Sequence, residues 1–182
     1  LFKLGEIPTV AVDDIQMQER DRDLIVATHG RSLYVIDDLT GLELLTPAIR
    51  AEPAHLFPPR PALGFVPYPG FVDSNGNAVY RGTNPPDGAL LTFWLSGYST
   101  EVVKISITNA EGQPVANLTA PALAGFNRVT WDLQPTKDVR TEYGGEGGKP
   151  VPAGEYTVTL KAGTHTSTAK LAVSYVPGVE TR

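Results

Sequence analysis

The feature that most constrains the fold is a sustained alternation of apolar and polar residues between 89 and 175. In the run EVVKISIT, Val103, Ile105 and Ile107 alternate with lysine, serine and threonine, and NRVTWDL and EYTVTLKA repeat the pattern. Successive side chains of a β-strand point to opposite faces, so the pattern predicts strands with one apolar face. Roughly seven such strands are typical of an antiparallel β-sandwich. The sequence therefore predicts a sandwich over residues 89–177, followed by a short tail at 178–182.

Residues 46–88 differ in composition from the segments on either side. Nine of the 16 prolines lie between residues 43 and 88. Proline fixes φ and removes a backbone donor, which disfavours regular pairing. The segment is therefore predicted to be an extended connector with, at most, an edge strand near Ala62–Phe65.

Residues 1–45 contain three short apolar runs, DDIQMQ, LIVAT and SLYVID, joined by polar turns. This spacing predicts an antiparallel meander. Three strands cannot bury an apolar face by themselves, so we expect the meander to pack against something larger. The chain also begins without an initiator methionine, and we interpret it as a piece of a longer protein.

Composition limits the partners and sites that we expect. The formal net charge is −5 and no basic cluster occurs, so nucleic acid is not an expected partner. No apolar run approaches the length of about 20 residues that spans a membrane. Cysteine is absent, which excludes disulfides and thiolate metal sites. We expect no cofactor and no bound metal.

Two parts of the sequence resemble a known family. The segment GEIPTVAVDDIQMQERDRDLIVATHGRSLYVIDDLTGLELL resembles the last blade of a β-propeller found in large exported bacterial proteins. Those proteins have bacterial-neuraminidase-type (sortilin-like) repeats and are often labelled glycosyl hydrolases. The runs VVKISITNAEGQPVANL, AGFNRVTWDL and PVPAGEYTVTLKAG resemble the Ig-like domain of the flagellar hook-capping type that closes such proteins. The implied fold class is all-β: an Ig-like/fibronectin-III-like antiparallel β-sandwich preceded by a β-meander from the last propeller blade.

The resemblance also implies a function. It suggests a non-catalytic structural or interaction module at the C-terminal end of a large exported protein, outside the cell or in the periplasm. Its main partner would be the rest of the parent propeller, with carbohydrate or another protein as a further partner. The Asp-box of these propellers, Ser-x-Asp-x-Gly-x-Thr-Trp, does not occur in the sequence, so no hydrolase residue transfers to it. The alternative is an accessory, carbohydrate-binding part of a glycoside hydrolase, and whether the parent is an enzyme stays open.

The run VATHGRSLYVIDD supports two interpretations. As a site, His29 would be a general acid or base, Arg31 a carboxylate clamp, and Asp37 and Asp38 paired acids. As a turn, Gly30 supplies a positive φ between two strands, and His29 and Arg31 face solvent or a neighbouring blade. The aspartates follow at the far end of a strand, about 20 Å from the turn. The turn is therefore favoured, and ligand contact by His29 and Arg31 is the weaker hypothesis.

Trp94 is the remaining candidate for ligand contact. It lies on the strand face opposite Phe93 and Leu95, and an aromatic side chain on a sandwich face can stack on a sugar ring. Packing of that face against the connector or the propeller is the favoured interpretation. The sequence contains no Ser-His-Asp set and no histidine cluster with metal-ligand spacing, so we predict no catalytic residue in this chain.

Three further motifs have weaker support. DSNGN at 73–77 resembles part of a calcium loop, which would suggest a calcium-stabilised adhesion domain, but Ala78 and Asn84 stand where glycine and glutamate are needed. The glycine-rich run at 141–154 leads into a strand, which predicts a loop and not a phosphate site. The NLT sequon at Asn117 is expected to be a surface turn.

Overall fold

The computed structural model describes residues 9–65, 87–136 and 150–179. Over these ranges the chain is mostly β with several antiparallel sheets, which confirms the predicted all-β class. Contacts divide the chain into two compact units, Leu1–Leu45 and Thr46–Arg182. We call them the meander unit and the two-sheet unit. None of the helices in the described ranges is long and apolar enough to cross a membrane.

The meander unit is a three-stranded antiparallel sheet with one short helix. Its strands are β1 (Val12–Gln18), β2 (Asp23–Thr28) and β3 (Leu33–Ile36), in the order β1-β2-β3. Helix α1 (Thr40–Leu44) follows β3. The Arg22 side chain after β1 donates hydrogen bonds to the Glu43 carboxylate of α1, which joins the helix to the β1–β2 turn.

The two-sheet unit begins with a short helix. Helix α2 (Pro47–Ala51) is capped by the Thr46 hydroxyl, which accepts a hydrogen bond from the Ile49 N–H at 3.2 Å, and Pro47 fits its first turn. The described residues of the unit form eight strands: β4 (Ala54–Leu56), β5 (Ala62–Gly64), β6 (Ala89–Leu95), β7 (Val103–Thr108), β8 (Pro114–Ala120), β9 (Gly125–Trp131), β10 (Gly154–Ala162) and β11 (His165–Tyr175).

These eight strands form two sheets. One has the order β4-β6-β9, and the other has the order β5-β11-β10-β7-β8. Neighbouring strands are antiparallel except β5 and β11, which pair in parallel at the edge of the larger sheet. Among the described strands, the chain changes sheet five times: between β4 and β5, β5 and β6, β6 and β7, β8 and β9, and β9 and β10. Strands that are distant in sequence therefore become neighbours.

Buried side chains from both sheets form one apolar cluster. Leu91 and Phe93 of β6 belong to it together with Ile105, Ile107 and Leu160 of the larger sheet. Each large side chain that is removed from water in this way contributes about 1.5–3 kcal/mol. The alternation in the sequence therefore places its apolar residues in a shared core.

The proline-rich segment contributes to this unit more than its composition predicts. An edge strand was expected near Ala62–Phe65, and β5 lies at Ala62–Gly64. Helix α2 and strand β4 were not expected. Ala54 and Leu56 of β4 join the core cluster, because β4 pairs with β6 and its two apolar side chains face inward.

Candidate functional site

His29 and Arg31 lie in the loop between β2 and β3. Gly30 has φ +70° and Ser32 has φ +75°, and the Thr28 N–H and hydroxyl both donate to the Ser32 carbonyl, at 3.2 and 2.7 Å. The loop is thus a closed turn with a left-handed backbone, the conformation that Gly30 led us to expect. Both candidate side chains are exposed.

The surroundings of His29 do not form a catalytic arrangement. Its side chain is 81% exposed, and Nδ1 lies 3.3 Å from Oδ2 of Asp13 on β1. An exposed pair of this kind is screened by water and orients neither group strongly. The hypothesis that His29 and Arg31 contact a ligand stays a prediction.

Asp38, one of the paired acids of that hypothesis, follows β3 in the sequence, and its side chain is buried. Its Oδ1 accepts a hydrogen bond from the Thr40 N–H at 3.1 Å, and its own N–H donates to Asp23 Oδ1 at 2.9 Å. Its φ is +50°. These contacts fix the chain where β3 turns into α1, so the geometry assigns Asp38 a structural role.

Trp94 belongs to an aromatic group outside the core cluster of the two-sheet unit. Its ring lies edge-on to Phe126, with centroids 5.4 Å apart, and Phe126 in turn contacts Phe57 at 5.7 Å. His55, opposite Trp94 in the sheet, packs edge-on against Phe57. The Trp94 indole N–H is buried and has no hydrogen-bond partner among the residues that the structure describes. These contacts hold the ring against its neighbours, and sugar stacking by Trp94 stays a prediction.

His55 makes the second histidine–carboxylate contact of the described chain. Its Nδ1 lies 2.8 Å from Oε2 of Glu52, three residues earlier. No serine or threonine hydroxyl is hydrogen-bonded to either ring nitrogen in the described ranges. In the same ranges no three histidine, aspartate or glutamate side chains are grouped as metal ligands would be.

The motifs with weaker support fall mostly beyond what the structure describes. Residues 73–77 and most of the glycine-rich run at 141–154 lie outside the described ranges. Asn117 is exposed, but it lies within strand β8 and not in a turn. The alternation of β8 places it on the outer face of the sheet.

A cavity of about 340 Å³ lies at one end of the two-sheet unit, where β5 and β11 meet the start of β6. Its lining includes Tyr175, whose hydroxyl donates to the Val151 carbonyl at 2.7 Å. Burial raises the pKa of Tyr175 to about 12. Two carboxylates, Asp87 and Asp132, also line the cavity. The Gln134 N–H already donates to Asp132, so this carboxylate supports the local backbone.

The sequence reasoning missed a groove on the outer face of the larger sheet. This groove, of about 510 Å³, crosses β7, β8, β10 and β11. We call it the lysine groove; its polar lining residues are Lys104, Ser106, Asn117, Thr119, Thr159, Lys161 and Thr166. In the sequence each of these is an ordinary outward residue of an alternating strand. Only the pairing of β7 with β10 places the two lysines directly opposite each other.

Comparisons with known proteins add little to this picture. No family model matches the chain. No curated protein matches it either. One matching solved structure is described as "Biofilm associated protein - BSP domain", with 10% sequence identity and a TM-score of 0.30, over 86% of this chain and 19% of that one. The chain thus spans about a fifth of that protein's length, and a TM-score this low establishes no shared fold.

Proposed function

We propose that this chain is a non-catalytic structural and interaction module at the C-terminal end of a large exported bacterial β-propeller protein. In this proposal the two-sheet unit is an Ig-like, fibronectin-III-like sandwich, and the meander unit is part of the last propeller blade. The observation on which the proposal depends most is the apolar surface that the meander unit exposes on both of its faces.

The strand order supports the Ig-like assignment. If the edge strand β5 is set aside, β4, β6 and β9 are the first, second and fifth strands and share one sheet. The third, sixth and seventh strands, β7, β10 and β11, share the other. Ig-type sandwiches divide their strands between two sheets in this way. The fourth strand, β8, pairs with β7 in the larger sheet.

A local hydrogen bond supports the same assignment. The Tyr156 hydroxyl near the start of β10 donates to the Pro152 carbonyl four residues upstream, at 2.7 Å. A tyrosine near the start of the sixth strand that bonds back to the upstream backbone is a feature of Ig-type domains. Tyr156 also packs edge-on against the buried Trp131 of β9, with centroids 5.6 Å apart, and so connects the two sheets.

The meander unit supports the propeller part of the proposal. Cross-strand pairing aligns Ile15 with Val26 on one face, and Ile25 with Val35 on the other. Ile15 and Val35 are each 56% exposed. An antiparallel sheet with one solvated face alternates cleanly between apolar and polar residues. A sheet with apolar side chains on both faces needs a layer on each side, as a blade between neighbouring blades has.

Hydrogen–deuterium exchange tests this proposal. The chain is compared with a longer version that includes the sequence preceding it in its gene. We expect the amides of β1–β3 to exchange at least about tenfold more slowly in the longer protein, because neighbouring layers cover both faces. The amides of β10 and β11 serve as the internal control and should not change. Unchanged exchange in β1–β3, or a gene without repeated Asp-boxes upstream, contradicts the proposal.

A second measurement addresses catalysis. The isolated chain is expected to show no turnover of aryl glycosides or oligosaccharides, because His29 and His55 contact carboxylates and neither is hydrogen-bonded to a hydroxyl nucleophile in the described ranges. Turnover that survives further purification and disappears in a His29→Gln or His55→Gln variant would contradict a non-catalytic role.

A further inference from the structure

The lysine groove contains a charge arrangement that a sheet surface normally avoids. Lys104 of β7 and Lys161 of β10 are directly opposite each other in the antiparallel register. Side chains in such positions have Cβ atoms about 4.5–5.5 Å apart, and like charges there disfavour folding. Both lysines are exposed, so the proximity is not a consequence of core packing.

Neither of the two lysines has an acidic partner within the described ranges. The four strands that form the groove contain one acidic residue, Glu155. Its carboxylate lies 3.2 Å from Lys170 Nζ, which also donates to the Thr157 hydroxyl at 3.1 Å. In the described ranges the same face therefore has one lysine in contact with a carboxylate and two lysines with no acidic partner.

Hydroxyl-bearing residues occupy the sheet positions around the two lysines. Thr166 and Thr119 flank them in the same row across the sheet. Thr159 and Ser106 form the next row, about 7 Å along the strands. An ammonium group only donates hydrogen bonds, whereas a hydroxyl both donates and accepts. The two lysines can therefore bind an anionic group of a ligand, and the neighbouring serine and threonine hydroxyls can bind its neutral hydroxyl groups.

We propose that the lysine groove binds an acidic polysaccharide, with Lys104 and Lys161 holding one carboxylate or sulfate group between them. Ser106 and Thr159 then bond to hydroxyls of the neighbouring sugar. The chain has a net charge of −5 and repels a polyanion elsewhere on its surface, so binding concentrates at the groove. This inference concerns the sheet face alone and does not depend on the propeller origin of the meander unit.

The groove chemistry favours a polysaccharide over other polyanions. No aromatic side chain is part of its described lining, whereas proteins that bind single-stranded nucleic acid stack bases on aromatic rings. The two apolar residues of its lining are a buried Ile105 and a half-buried Leu118. Neither projects into solvent as the apolar side chains of bilayer-binding helices do. The hydroxyls and ammonium groups that line the groove instead match the carboxylates and hydroxyls of an acidic glycan.

Calorimetric titration of the full chain tests the inference. The probes are oligogalacturonate, a sulfated heparin oligosaccharide, a neutral cello-oligosaccharide and single-stranded DNA, each in low-salt buffer. We expect an acidic oligosaccharide to bind and the neutral one not to bind. The preference between oligogalacturonate and the sulfated oligosaccharide identifies the anionic group. Binding should weaken strongly at 0.5 M salt, where screening acts within about 4 Å.

Matched lysine variants locate the binding. Lys104→Gln and Lys161→Gln are each expected to weaken binding about tenfold or more, because each removes a charge-assisted hydrogen bond. Lys170→Gln is the control: it removes a lysine from the same face, but one that contacts Glu155 and does not line the groove, so affinity should stay within about twofold. All three positions are exposed, and circular dichroism verifies that the variants fold.

Several results would overturn the inference. They are the absence of binding to either acidic oligosaccharide, equal binding to the neutral one, tighter binding to DNA, or equal weakening by Lys170→Gln and Lys161→Gln. None of these results bears on exchange in β1–β3, so failure here and failure of the proposed function can be told apart.

Discussion

The meander unit and the two-sheet unit both consist mainly of antiparallel β-strands, yet similar apolar side chains are exposed in the first and buried in the second. Leu91 on β6 is 0% exposed, whereas Leu33 on β3 is 64% exposed. Both residues belong to runs that predict strands. The difference shows that a strand pattern determines which face a side chain occupies, and that a second layer determines whether this face is buried.

The largest expected effect is the difference between two identical substitutions. Leu91→Ala should destabilise the protein by about 2–5 kcal/mol, because it leaves a cavity among the two sheets. Leu33→Ala should change stability by less than about 0.5 kcal/mol, since the side chain is mostly in water. Chemical denaturation followed by tryptophan fluorescence measures the Leu91→Ala value, because both tryptophans lie in the two-sheet unit. Hydrogen exchange of the β2 and β3 amides measures the Leu33→Ala value in the meander unit.

The same pair of variants can contradict this contrast in burial between the two units. If Leu33→Ala costs as much as Leu91→Ala, the meander unit has a covering layer in solution. If Leu91→Ala destabilises the protein by less than about 1 kcal/mol, the conclusion that Leu91 is buried in a core shared by the two sheets is wrong.

A second pair of variants compares glycines in the two units. Gly88, just before β6, has φ +109°, and a Cβ there would collide with the backbone carbonyl of Trp131. Gly30, in the β2–β3 turn, has φ +70° and open space around it. Gly88→Ala should therefore cost about 2–4 kcal/mol. Gly30→Ala should cost about 1 kcal/mol, from the left-handed backbone alone.

Thermal unfolding of the two glycine variants gives this comparison. Equal shifts of Tm would mean that the close approach of Gly88 to Trp131 relaxes at no cost. A larger shift for Gly30→Ala would mean that the turn, and not the two-sheet unit, limits stability.

These contrasts also show what the sequence could predict. The alternation from β6 to β11 is long enough to predict strands and their apolar faces, and Gly30 predicted the turn at His29. Strand β4 could not be predicted, because its three residues lie between prolines and are too few to show an alternation of apolar and polar side chains. The pairing of Lys104 with Lys161 could not be predicted either. Strands β7 and β10 are far apart in sequence, and their register depends on the order of strands in the sheet, which no local sequence pattern indicates.

A third prediction concerns pH and the two-sheet unit. Burial raises the pKa of Tyr175 from 10.0 to about 12. Between these values the unfolded chain loses the phenolic proton while the folded chain keeps it, so stability should fall as pH rises from about 10 to 12. Tyr175→Phe should lessen this fall. It should also cost about 0.5–1.5 kcal/mol near pH 8, where the bond to the Val151 carbonyl is lost.

Urea denaturation of the wild type and of Tyr175→Phe at pH 8 and pH 11 measures both effects. An equal loss of stability between the two pH values in both proteins would assign the pH dependence to other groups.

The smallest expected effect has the opposite sign. Lys161→Glu replaces a like-charged pair with an attractive one and should stabilise the protein by about 0.2–0.5 kcal/mol at low salt. Lys170→Glu, on the same face, breaks the contact with Glu155 and should destabilise it by a similar amount. Denaturant midpoints at 20 mM and 500 mM salt measure both shifts, which should shrink at the higher concentration.

The sign of the Lys161→Glu shift links stability to function. A face that is merely solvated gains nothing by keeping two unpaired lysines opposite each other. If Lys161→Glu raises stability and also abolishes binding of acidic oligosaccharides, the native pair is retained at a cost to folding, as binding sites often are. If the variant is destabilised, the two ammonium groups already diverge into solvent, and the groove does not focus positive charge.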